Sequence, residues 1–227
     1  MSYEIDFLAV GENGRSGDAI ALRIGNLSGQ RSEQKVLVID GGSKDSGEAL
    51  VSHINRYYGT DFVDIVMSTH PDSDHSSGLA VVLEKMKVGC LFMHQPWNHA
   101  EDIKHLFDDE RVTPTGLEER AWRSLENARE LEKTANRKGI PIREPFSDSY
   151  QDVLSPSKAF YQQQLANFRC MPEPAKKAGL LTGHRQCKVS QQVHFGSKTT
   201  RTATASGGPK RRMLCWALCL TRNWRDA

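Results

Sequence analysis

At 227 residues, with 38% hydrophobic and 26% charged residues, the sequence is long enough to bury one core without disulfide support. Lys and Arg number 30 against 28 Asp and Glu, so the formal charge of +2 gives no reason to expect a nucleic-acid or membrane partner from bulk charge. Five cysteines, Cys90, Cys170, Cys187, Cys215 and Cys219, are odd in number and lack the dense spacing of a secreted disulfide scaffold. Met1 to Val10 has no basic region followed by an apolar run, and no segment has the apolar length of a membrane span, so a cytoplasmic protein without a membrane partner is expected.

Tyr3 to Val10 alternates in a strand-like way, and after a Gly-rich turn Ile20, Leu22 and Ile24 fall on one face of a second strand. Lys35 to Ile39 is an apolar run ending in Asp40-Gly41-Gly42, the pattern of a buried strand that stops in a tight loop. Glu48 to Tyr58 carries Leu50, Ile54, Tyr57 and Tyr58 at helical spacing, with Gly59 as its stop. A buried strand is expected over Phe62 to Met67, a helix over Gly78 to Lys87, and a strand over Cys90 to Met93. Leu117 to Lys138 reads as one long helix, with Ala121, Leu125, Ala128, Leu131 and Ala135 on one side and Gly139 closing it. Ile140 to Pro145 suits one more strand. This strand and helix alternation is an α/β rhythm. From about Ser155 apolar periodicity fades, so the expected organisation is a domain over residues 1–155 and a polar, basic, poorly ordered segment over 156–227. Lys198 to Arg212 lacks aromatics interleaved for base stacking and reads as a solvated run.

Between Val66 and Gly78 the chain reads VMSTHPDSDHSSG, which places His70, Asp72, Asp74 and His75 within six positions directly after an apolar strand. Imidazole and carboxylate are hard-to-borderline ligands suited to zinc, manganese or iron, and a loop at a strand end can aim them at one or two ions. The competing account is a polar loop in which Asp72 and Asp74 cap the following helix through its N-terminal amides while the histidines are incidental.

His70-x-Asp72-x-Asp74-His75, preceded one strand and one helix earlier by Asp40-Gly41-Gly42, resembles the HxHxDH signature of the metallo-β-lactamase superfamily. The resemblance is nearest to the ComEC-type competence hydrolase-like branch, whose early GxGD-type turn is similar to Gly14-Arg15-Ser16-Gly17-Asp18-Ala19-Ile20, and it covers about residues 4–100. It implies an αββα sandwich, here incomplete at its C-terminal half. It further implies that His70 and Asp72 face a first metal and Asp74 and His75 a second, with Asp74 also placed to orient or deprotonate the attacking water and Asp40 supporting the loop. Asp72 stands where a second histidine is commoner, which favours harder metals.

Later family motifs, a third histidine and a Thr-Gly-Asp bridging carboxylate, have no clear counterpart; Leu180-Leu181-Thr182-Gly183-His184 offers His184 as a late ligand in place of the bridging Asp. His94 and His99, just after a strand, are candidates to line a substrate pocket, or belong to an ordinary surface loop. His184, Cys187, Cys215 and Cys219 lack the close paired spacing of a zinc motif. The expected function is hydrolysis through a metal-bound hydroxide, with a phosphodiester of a nucleotide or nucleic acid as the favoured substrate and weak turnover in the absence of a bridge. The alternative is a non-catalytic remnant or interaction protein that keeps part of the metal site.

Overall fold

The computed structural model describes residues 2–10, 17–151, 153–168 and 171–172, and the backbone of a short strand at His194–Phe195. Its centre is a mixed sheet of β1 (Ser2–Phe7), β2 (Ala19–Gly25), β3 (Gln34–Gly41), β4 (Phe62–Met67), β5 (Lys87–Phe92) and β6 (Ile142–Arg143), which lie side by side in chain order. β1, β2 and β3 pair antiparallel, whereas β3 to β6 run parallel. The helices between the parallel strands supply the crossovers that such pairing requires. The architecture is therefore α/β.

The apolar run in β3 explains why the sheet is covered on both faces. Side chains alternate along a strand, so Val36 and Val38 enter one core and Leu37 and Ile39 another. On the first face β3 and β4 meet α1 (Lys44–His53), α2 (Ser73–Lys85) and α5 (Glu126–Lys138) through Leu50, Leu79, Val82, Leu83, Leu131 and Ala135. On the second face Leu22, Ile24, Ile65, Met67 and Phe92 join Val153 of β7 (Val153–Ser155) and Tyr150. β7 pairs antiparallel with β8 (His194–Phe195).

α1 is capped by Ser43, whose hydroxyl accepts from Ser46 N–H, so it begins at Lys44, four residues before the expected Glu48; it continues as a π turn over Ile54–Tyr58 and stops at Gly59, as its sequence predicts. Two further helices depart more from expectation. α2 begins at Ser73, five residues before Gly78, so Asp74 and His75 stand on its first turn. The helix expected over 117–138 is two helices, α4 (Pro114–Ser124) and α5, separated by Leu125 at φ −118°, ψ 54°. The half-buried Leu125 packs on the first core together with Ala121 and Ala128, so one apolar stripe runs through the break and conceals it.

After residue 155 the chain forms α6 (Lys158–Leu165), whose Tyr161 and Leu165 pack with Ala100 and Ile103 of the short α3 (Ala100–Ile103), Leu117 of α4 and Phe146. Packing therefore continues past the boundary expected there. The tail over residues 188–227 lies outside the described residues apart from His194–Phe195. No described helix is long and apolar enough to cross a membrane.

Two glycines, Gly47 and Gly78, set how closely α2 lies against α1 and the end of β3. A Cβ on Gly78 would fall 1.9 Å from Gly41 O, and one on Gly47 would fall 2.4 Å from Gly78 O. With only hydrogen at these positions, Gly78 N–H donates to Gly42 O at 2.9 Å. α2 is thereby held against the end of β3, with its N-terminus at the carboxyl edge of the parallel strands.

Candidate metal centre

The carboxyl ends of adjacent parallel strands form the crevice in which open α/β sheets commonly bind ligands. Here Asp40, the last residue but one of β3, has left-handed backbone, φ 53°, a conformation that Asp tolerates better than most residues with a Cβ. The turn drives its carboxylate beneath the segment that follows β4. Asp40 Oδ1 accepts from Thr69 N–H at 2.9 Å, and Oδ2 accepts from the Thr69 hydroxyl at 2.5 Å and from His75 Nδ1 at 3.1 Å. Since a carboxylate only accepts, the last contact places a proton on His75 Nδ1 and turns Nε2 toward the crevice.

Of the four residues singled out by the sequence, His70 and His75 meet there, and each has one of the two aspartates beside it. The His70 and His75 rings have centroids 3.9 Å apart. His70 Nε2 lies 3.8 Å from Asp72 Oδ2, and His75 Nε2 lies 4.0 Å from Asp74 Oδ2. Two ligands on one tetrahedral zinc, each at about 2.1 Å, stand about 3.4 Å apart, so a small side-chain rotation closes either pair. The donor set, imidazole nitrogen with carboxylate oxygen, fits zinc, manganese or iron. Asp72 occupies the N-cap position of α2, yet its side chain makes no capping hydrogen bond, which leaves that carboxylate free for another partner. Both carboxylates are the more exposed members, so the basin opens to water on their side.

Among the described residues the tightest group able to hold an ion is Asp40, His70 and His75, with one ligand atom of each within 4.8 Å of the others. Distance alone would make Asp40 a ligand. Its oxygens already receive three hydrogen bonds, however, and one of them comes from His75 itself, so we place it behind the imidazoles as their support.

Burial, reinforced by the charge of His75, holds His70 below the ordinary histidine range against the opposing pull of Asp40, Asp72 and Asp74. His70 is thus neutral and ready to bind an ion at neutral pH. Burial also pulls His75 down, but the hydrogen bond and charge of Asp40, with Asp74 and Asp18, outweigh it and hold His75 above that range. An ion bound through His75 would have to displace this proton, so any such affinity would fall with acidification.

No protein-family model matches the chain, and no curated protein matches it significantly. The chemical character of the centre rests on its own donor atoms.

Two further residues lie near the centre: Thr69, which the sequence did not single out, and Asp18, which it offered only as part of the GxGD-type turn. Thr69 follows the end of β4 with nothing in the sequence to mark it, and it is the residue that meets both Asp40 and His70. Asp18 has Oδ2 at 3.8 Å from His75 Nδ1, and burial raises its carboxyl, with His75 opposing that shift and Asp40 reinforcing it. Its signal was its place directly after the Gly-rich turn. Gly17 beside it touches the centre through the backbone, since a Cβ there would fall 2.1 Å from Asp74 O.

His94 and His99 are both buried, in contact with residues of the third core cluster, and so do not belong to an ordinary surface loop. His99 Nε2 lies 3.1 Å from each Glu144 oxygen, and Nδ1 lies 3.4 Å from Asp102 Oδ2. His94 packs between Tyr161 and Phe146 at ring centroid distances of 4.5 and 4.8 Å, and neither of its ring nitrogens has a hydrogen-bond partner among the described residues. His184, Cys187, Cys215 and Cys219 lie outside the described residues.

Burial pushes His94 down to about 4, with Glu144 opposing and His99 assisting. In the unfolded chain an imidazole titrates near 6.5, so between about pH 6.5 and 4 the unfolded state binds the extra proton and stability falls as pH falls. The loss amounts to about 3 kcal/mol. Replacing His94 by Phe should keep the aromatic stacking and flatten this part of the profile, measured by urea unfolding at pH 7 and pH 4.5. The same acid-side slope in both proteins would contradict the assignment to His94.

Proposed function

We propose that this chain is a metal-dependent hydrolase of metallo-β-lactamase type, related to the ComEC-like branch, that cleaves an ester-like bond, with phosphodiesters as the substrate class. The observation that carries the reading is the pairing of His70 Nε2 with Asp72 and of His75 Nε2 with Asp74, at 3.8 and 4.0 Å, over a buried supporting carboxylate. The mixed α/β sheet and the position of the motif at the carboxyl edge of β4 support the same family.

An ion held here would supply a Lewis acid and lower the pKa of a water in its coordination sphere. His70 and His75 would hold it as neutral donors. Asp72 adds negative charge, which suits a harder ion such as manganese as well as zinc. Asp74, on the open side of the basin, is placed to orient a water and accept its proton. Asp40 keeps His75 turned toward the ion.

One observation favours a second reading, a protein that binds metal without turnover. Among the described residues, Asp40, His70 and His75 form the only group of three or more potential ligands, and no carboxylate from beyond residue 100 joins them to bridge two ions. The deciding experiment is hydrolysis of a chromogenic phosphodiester with zinc or manganese in excess, alongside His75→Ala. Slow, metal-dependent turnover that disappears in His75→Ala is expected. Metal binding without turnover would establish the second reading, and failure to bind metal would overturn both.

A further inference from the structure

We infer that Thr69 is a positioning residue of the metal centre: its hydroxyl relays the acceptor character of Asp40 to His70, so one buried carboxylate fixes the ring tautomer of both histidines. This rests on the metal-centre reading for its purpose. The relay itself depends only on hydrogen-bond chemistry.

Thr69 Oγ1 lies 2.5 Å from Asp40 Oδ2 and 2.8 Å from His70 Nδ1. A hydroxyl has one proton and a carboxylate has none, so the shorter contact requires the threonine proton. With that proton committed, Oγ1 can only accept from His70, and the proton of a neutral His70 ring must sit on Nδ1. Nε2 then keeps its lone pair toward the crevice. If the hydroxyl donated to His70 instead, lone pairs on Oγ1 and Oδ2 would face each other at 2.5 Å in a buried place. Thr69 is 6% exposed and Asp40 2%, so water has little access to relieve such a contact.

The orientation is fixed from both sides. Thr69 N–H donates to Asp40 Oδ1 at 2.9 Å, which pins the carboxylate, and β-branching restricts the threonine χ1. Asp40 reaches His75 directly and His70 through one hydroxyl, and the effect on each ring is the same. Two Nε2 atoms are presented as donors before any ion arrives, which lowers the ordering cost of binding.

The experiment uses the full metal-free chain. Two-bond nitrogen-15 spectra of the imidazoles at pH 8 should show the His70 and His75 protons on Nδ1. In Thr69→Val, His70 should shift toward the Nε2–H form while His75 keeps Nδ1–H, and Thr69→Ser should restore the wild-type pattern. Zinc affinity, measured against a competing chelator, should fall about 10–100-fold in Thr69→Val and only several-fold at most in Thr69→Ser. Wild-type His70 carrying its proton on Nε2, or Thr69→Val leaving the His70 tautomer unchanged, would overturn the relay. The wild-type and Thr69→Ser spectra decide the matter if Thr69→Val fails to fold. A wild-type chain with the expected tautomers but no zinc affinity would uphold the relay and count against the metal centre.

Discussion

Asp40→Asn is expected to lower zinc affinity by about 100-fold or more while leaving the fold in place. The substitution is nearly isosteric, and Asn accepts the left-handed backbone at φ 53° as readily as Asp. What changes is the sign of one hydrogen-bonding atom. Thr69 N–H still needs an acceptor, so the amide oxygen stays where Oδ1 was. The amide nitrogen then faces Thr69 Oγ1 and His75 Nδ1 as a donor. His75 must accept on Nδ1, Thr69 must pass its proton to His70, and both rings become protonated on Nε2. Neither can bind an ion without breaking a buried hydrogen bond. Chelator competition for zinc, beside thermal unfolding of the metal-free protein, measures both parts. Affinity within a few-fold of wild type would mean that Asp40 does not set the tautomers.

Gly78→Ala is expected to cost about 3 kcal/mol, near the upper end for overpacking, and to lower the melting temperature by roughly 6–12 °C. The new methyl would meet Gly41 O at 1.9 Å and Ser43 O at 2.6 Å, both backbone atoms that cannot rotate aside. α2 must therefore lift from the end of β3. His75 and Asp74 ride on the first turn of that helix, so metal affinity should fall along with stability. Gly59→Ala is the control: nothing lies within 4 Å of its added carbon, and only the left-handed backbone at φ 64° opposes it, at about 1–2 kcal/mol. Equal losses at the two positions would show that backbone conformation, and not the close approach of α2 to β3, sets the stability.

The strand carrying the motif was legible because β4 is an apolar run closed on both sides by polar turns, and Phe62–Met67 matches the expected range. The start of α2 was not. Asp72, Ser73 and Asp74 were taken as loop because they precede the apolar periodicity, although residues of this kind also favour the first turn of a helix. The break at Leu125 was hidden by the unbroken apolar stripe that crosses it. Within the centre, spacing could bring His70, Asp72, Asp74 and His75 to one place, because all four follow the same strand end. Spacing could not reveal Thr69, whose role depends on the direction of a hydroxyl proton toward Asp40, a residue 29 positions earlier. Nor could it show that His94 is buried, since Phe146 and Tyr161 come from segments far along the chain.

Calorimetric titration of zinc, repeated with manganese, into the intact wild-type chain and into His70→Ala/His75→Ala tests the central claim most directly. The wild type is expected to bind at least one ion per chain, and the double variant, still folded, to bind none at this centre. Absence of binding to the wild type, or equal binding to the double variant, would contradict it.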